Sequence, residues 1–129
     1  MIEVSIAPGE LIDKISILIL KKEFIINKEQ LTNINFELNT LKPLIKKHKL
    51  DNTEIDKLSN ELYEINKKLW MIEDDIREKE KKAAFDEEFI ELARSVYFTN
   101  DKRSEIKKKI NVLSGSKIVE EKSYSDYKN

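Results

Sequence analysis

The residues of this chain that could do chemistry are few, and three arginines mark most of them. Arg77, Arg94 and Arg103 stand among 24 basic residues, the rest being lysine. Lysine is the default cation of a composition this rich in Ile and Asn, which is that of an AT-rich coding sequence. An arginine in such a chain points to a position that needs a planar, bidentate donor. Two of the three fall in ARSVYFTNDKR, which sets Arg94, Tyr97, Asn100, Asp101 and Arg103 within ten residues. That set could close an ion pair inside the fold, or hold an anion such as a phosphate, a carboxylate or a sugar nucleotide. The ion pair is the preferred reading. Arg103 falls on an apolar seam, where an unpaired guanidinium is costly, and Glu73, Asp74 or Asp101 is the expected partner.

A second set, Tyr63, Asn66, Trp70, Glu73 and Arg77, recurs every three or four residues and so shares one helix face. Each member can hydrogen-bond, and the aromatic bodies tolerate burial. This face reads as the polar rim of an oligomer interface, with a ligand-binding face as the alternative. A third set is acidic: Glu73, Asp74, Asp75 and Glu78, then Glu87, Glu88 and Glu91. Carboxylates on facing helices could hold Mg²⁺ for phosphoryl chemistry. Helical nucleotide pyrophosphohydrolases use EExxE followed by ExxD. Glu87 to Glu91 fits the first half and nothing supplies the second, so a solvated helix face paired with lysines is the better reading.

Other chemistries lack their residues. Cysteine is absent, which removes disulfides, thiolate nucleophiles and thiolate metal sites. The one histidine, His48, lies in Lys46-Lys47-His48-Lys49 and reads as solvated. A small helical chorismate mutase also opens on a helix like Glu10 to Ile15, but needs cations there that this helix lacks. Neither a cofactor nor a metal is expected. The 24 basic and 25 acidic residues leave a net charge of −1, without the cationic excess of a duplex binder. Met1-Ile2-Glu3 lacks the basic region of a signal peptide, so none is expected, and the longest apolar run, Ile15 to Leu20, is far short of the ~20 residues of a membrane span. A cytoplasmic protein without nucleic-acid or membrane partners is expected.

The elements that must position these residues are helical. The 129 residues suit one domain. Four breakers, 2 Gly and 2 Pro, are too few for a sandwich or barrel. Ile2, Val4 and Ile6 alternate like a short strand, so residues 1–8 read as an extended segment. The apolar spacing then predicts a helix from about Gly9 to Lys42, bent near Asn27 and ended or kinked by Pro43. Residues 46–52 read as a polar connection, with Thr53 or Asp51 as the next N-cap. Ile55, Leu58, Leu62, Ile65, Leu69, Ile72 and Ile76 follow at alternating intervals of three and four, the heptad signature of coiled-coil packing. A last helix from about Asp86 carries Phe89, Leu92, Val96, Thr99, Arg103, Ile106 and Ile110 on one face and stops before Gly115. Residues 116–129 form a tail with one apolar pair, Ile118-Val119. The expected fold is all-α: an antiparallel bundle of about three long helices. Thin helices with Tyr63, Trp70 and Phe98 beside the seam leave apolar surface over, so a homodimer or larger homo-oligomer is expected, with room for a further protein partner.

LYEINKKLWMIEDDIREKE, FIELARSVYFTNDKRSEIKKKIN and VEEKSY resemble DUF6165, a family of small bacterial and phage proteins of unknown function. IAPGELIDKISILILKKEFI resembles that family's opening. The resemblance runs from about Ser5 to Tyr124 and is loose around Leu41 to Asp56. It implies no reaction. It does imply that Trp70, Glu73, Arg77, Arg94, Tyr97, Asn100, Asp101 and Arg103 are the family's polar motif positions. The function expected is self-association and protein–protein contact without enzymatic activity. An anion- or nucleotide-sugar-binding accessory role in polysaccharide synthesis is the alternative, and a metal-dependent nucleotide hydrolase is third.

Overall fold

The structure, a computed structural model, describes residues 1–127. Among them are five α-helices and no strand. They are α1 (Pro8–Phe24), α2 (Lys28–Leu41), α3 (Pro43–Lys47), α4 (Thr53–Lys81) and α5 (Glu87–Leu113). The class is as expected, but only α4 and α5 are long, and they form a helical hairpin.

The continuous helix expected over Gly9–Lys42 is two helices. Ile25 takes extended angles (φ −86°, ψ 131°), and Asn27 caps α2 by accepting a 2.9 Å hydrogen bond from the Gln30 amide. An asparagine side chain competes for backbone partners, so the break stands although the apolar spacing runs across it. Lys42 keeps helical angles before Pro43, and α2 and α3 are therefore one residue apart. The N-cap of α4 is neither Thr53 nor Asp51 but Asn52, which accepts from the Ile55 amide at 3.0 Å.

Three helices end in the same way. After α5, Gly115 turns left-handed (φ 67°); its amide bonds the Val112 carbonyl, and the Ser116 amide bonds that of Asn111. The same pair of bonds follows α3 at Lys49 (φ 57°) and α4 at Ala83 (φ 52°). Only the glycine makes that turn without a steric penalty. Leu50 follows Lys49 and is buried, so the connection expected to be polar supplies a core residue.

α1 is the centre of the core. Leu11, Ile12, Ile15 and Leu18 meet Ile34 and Leu38 of α2, Ile55 and Leu62 of α4, and Ile106 and Ile110 of α5 in one cluster. A helix covered by three others needs an apolar stripe this wide. Its start is pressed onto α5. The Gly9 amide donates to Asn111 Oδ1 at 2.7 Å, and a Cβ on Gly9 would stand 2.5 Å from the Lys107 carbonyl oxygen.

The cluster takes only half of the long seam. Ile55, Leu58, Leu62 and Ile65 belong to it or pack on it, whereas Leu69, Ile72 and Ile76 do not, and neither do Phe89, Leu92 and Val96 of α5. Past α1 the hairpin stands as two helices alone. Residues 1–6 are exposed and unpaired by any strand, and Ile118 and Val119 of the tail are exposed as well. No helix among the described residues is long and apolar enough to cross a membrane.

Candidate functional site

Among the described residues four polar side chains are buried, Asp13, Ser16, Asn66 and Thr99, and three of them touch. On α1, Gly9, Asp13, Ser16 and Leu20 recur at helical spacing and are all buried, so this narrow stripe of α1 turns inward toward the hairpin. Asp13, 1% exposed, takes most of the available donors. Its Oδ1 accepts from Asn66 Nδ2 at 2.9 Å and from Arg103 Nε at 3.0 Å, while Oδ2 accepts from Arg103 Nη2. Asn66 Nδ2 also donates to Ser16 Oγ at 2.7 Å, and Ser16 Oγ donates to the Asp13 carbonyl. One residue of α4 and one of α5 are thereby tied to a single carboxylate of α1.

Lys107 extends the cluster by one turn. Its Nζ lies 2.7 Å from Glu10 Oε2, 3.4 Å from Glu120 Oε2 and 4.0 Å from Asp13 Oδ2. Burial works against the Lys107 charge, but the Glu10 hydrogen bond and the surrounding carboxylates outweigh it and raise its pKa. The hydrogen bond to Asp13 likewise holds the Arg103 guanidinium above its ordinary pKa. Both cations stay charged. The Asp13 carboxylate accepts three hydrogen bonds from fixed donors, so it is spent on holding the helices and is not placed as a general base.

The expected ion pair of Arg103 therefore exists, but its partner is Asp13. Glu73 and Asp74 lie farther along α4 than Asn66, the α4 residue that meets the pair, and Asp101 instead accepts from the Tyr127 hydroxyl. Asn100 Oδ1 sits 3.5 Å from Arg103 Nη1. The three arginines do not converge. Arg77, whose side chain is 79% exposed, pairs with Glu73 on its own helix. Arg94 is exposed and lays its guanidinium 5.8 Å from the Phe98 ring centroid. Tyr97 packs on Phe98 and Tyr127.

The residues from Tyr63 to Arg77 are divided by the end of α1. Tyr63 donates to Glu23, Asn66 reaches Asp13, and Trp70 stacks on Phe24 at 5.5 Å. Glu73 and Arg77 continue the face beyond the end of α1. The acidic set makes no metal centre: among the described residues no three His, Cys, Asp or Glu are placed to hold an ion. Instead Lys79 reaches across the turn to Asp86 at 2.9 Å and Glu88 at 2.6 Å. Those bonds to Glu88 and Asp86 raise the Lys79 pKa, and Lys79 in turn lowers that of Asp86.

Sequence reasoning missed Glu10, Asp13, Ser16 and Lys107. The signal for Asp13 was its place at helical spacing from Gly9 and Ser16, a polar stripe laid inside an apolar helix.

The polar motif positions of the C-terminal half are thus spread over an ion pair, an aromatic face and an exposed helix end. One family model covers residues 2–128, that of DUF6165, described as a family of unknown function. The chain belongs to the DUF6165 family. No curated protein matches the chain, and no solved structure matches it. DUF6165 brings no assigned reaction to the ion-paired core, so its function has to be argued from the geometry.

Proposed function

We propose that this DUF6165 protein is a self-associating helical module of the cytoplasm that works by protein–protein contact and not by catalysis. One observation carries the reading: the outer half of the α4 seam is as apolar as the inner half, yet it lies outside the core cluster, and although Ile72 is buried, Leu69 and Ile76 are only half-buried. α1 fills the groove beside the hairpin only as far as Trp70. Beyond it α4 runs another 11 residues to Lys81, or about 17 Å. Met71, Phe85 and Ile90 stand exposed around this stretch. Two helices do not close a core, whereas four do. A second copy related by two-fold symmetry would set its own outer hairpin against this one, joining identical surfaces. Glu73 and Arg77 would then rim the interface. The footprint is short, which places the dimer in the weak, micromolar class.

The absence of cysteine gives a clean test. Arg77→Cys at the outer hairpin and Phe36→Cys on α2 each introduce a single thiol. A short bis-maleimide should link Arg77→Cys copies into dimers and leave Phe36→Cys monomeric. Equal linking at both positions, or none at Arg77→Cys, would contradict the reading.

Binding of an anion or a nucleotide sugar is favoured by one observation. Arg103 and Lys107 line the same cleft of about 570 Å³. Each of them already faces carboxylates, Asp13 for the first and Glu10, Asp13 and Glu120 for the second. The cleft is therefore close to neutral, and it attracts a free anion weakly.

A further inference from the structure

We propose that the α5 face bordering this cleft is a docking site for an extended protein segment that carries a carboxylate and, seven residues on, a tyrosine, and that the chain's own tail, whose Glu120, Lys122, Tyr124 and Tyr127 form the cleft's other wall, covers that face in cis. The inference is independent of the outer-hairpin interface. After the Gly115 turn the tail runs back along α5. Glu120 reaches Lys107 at 3.4 Å, and Tyr127 reaches Asp101. The Tyr127 ring lies 5.0 Å from both the Tyr97 and the Phe98 rings, centroid to centroid. Those two anchor points are 6 residues apart on α5, about 9 Å, and an extended strand of seven residues spans them with slack.

Two features support treating the tail as a removable ligand. Every residue from 117 to 127 is exposed, including Ile118 and Val119, and none belongs to the core cluster. Its attachments are one ion pair from the half-exposed Glu120 to Lys107, the Tyr127 hydrogen bond to Asp101 and ring contacts, and an ion pair with one partner open to water holds weakly. Lys107 keeps Glu10 at 2.7 Å when Glu120 leaves, so release strands no buried charge. What release uncovers is coherent: a cation at Lys107, the acceptor Asp101, and the rings of Tyr97 and Phe98. Aromatic and charged points on a rigid helix suit a peptide that brings the complementary carboxylate, hydroxyl and ring.

A tether of this length gives the tail an effective concentration of about 1 mM. If the separated segment binds with a Kd near 0.1 mM, the tail is docked about nine-tenths of the time. An outside peptide then sees a roughly tenfold weaker site. The probe is a fluorescein-labelled peptide of residues 117–127, followed by anisotropy. Chain 1–116 keeps the whole core cluster, and its far-UV spectrum and melting point establish that it is folded. It should bind the probe saturably, and the full chain should bind at least fivefold more weakly. In the full chain, Glu120→Lys with Tyr127→Ala should restore the tight value without any truncation. A probe with those two changes should not bind. No saturable binding to either opened protein, or equal binding by the intact chain, overturns the proposal. So does displacement of the unlabelled tail by millimolar inorganic phosphate alone, because that result would make the cleft a small-anion site.

Discussion

Arg103→Met removes the cation that answers a nearly inaccessible carboxylate. Asp13 then keeps Asn66 Nδ2 at 2.9 Å and Lys107 Nζ at 4.0 Å, but loses two charge-assisted bonds. Breaking a buried pair on one side costs about 3–5 kcal/mol. The Arg103 side chain is 28% exposed, so water reaches the vacated space, and Lys107 stands close enough to answer part of the charge. A loss of about 2–4 kcal/mol follows. For a domain of this size that lowers the melting point by roughly 10 °C. Asp13→Asn with Arg103→Met removes the stranded charge. The double variant should therefore lose clearly less than the sum of the singles, a coupling of about 1–3 kcal/mol. Urea titrations of the four proteins measure it. The reasoning is refuted by strict additivity, or by a loss below about 0.5 kcal/mol for Arg103→Met. A higher melting point in that variant, with the parent stabilised by millimolar phosphate, would mean that the site holds an anion.

Ala83→Gly should stabilise the chain by about 1 kcal/mol, because a side chain is held there at φ 52°; an unchanged urea midpoint would count against the turn. Leu62→Ala, at 0% exposure, should cost about 3–5 kcal/mol. Leu69→Ala, half-buried outside the core cluster, should cost the monomer less, and equal losses would contradict the division of the seam. Tail docking should depend on pH through Glu120, whose pKa the neighbouring Lys107 charge lowers from 4.5. Its contribution is complete above that unfolded value and is lost as pH falls through the lower folded value. Tyr127, raised to about 12 by its bond to Asp101, contributes below pH 10 and is lost only toward pH 12. Tyrosine fluorescence in a Trp70→Phe background, taken as the difference from the same chain with Tyr127→Phe, should report both steps, and a difference flat from pH 3 to 7 would refute the Glu120 contact.

The sequence made the helices legible because apolar spacing is a local signal, and α4 and α5 start within a residue or two of where that spacing sets them. It marked a bend near Asn27 but hid that the helix breaks there, because periodicity can persist through a capped gap. It also hid the burial of Leu50, which depends on a left-handed turn at Lys49. Arg103 was recognisable as a residue in need of a partner from its seam position and its rarity. Which carboxylate answered it was not, since Asp13 lies 90 residues away and only the packing of α1 brings it near. The stripe from Tyr63 to Arg77 was seen as one face. That α1 covers its first half and leaves the second open is a fact of helix length, which follows from where α1 stops.

That outer half is the surface proposed to meet a second copy. Sedimentation equilibrium of the full chain from about 1 to 200 µM, a range spanning a micromolar Kd, measures it directly. The parent should move from the 15.2 kDa monomer toward twice that mass, and Ile76→Glu with Phe89→Glu should hold it at the monomer with its helical content intact. A parent that stays at 15.2 kDa throughout, or a double variant that dimerises as the parent does, would contradict the claim that the outer hairpin is built to meet a second copy.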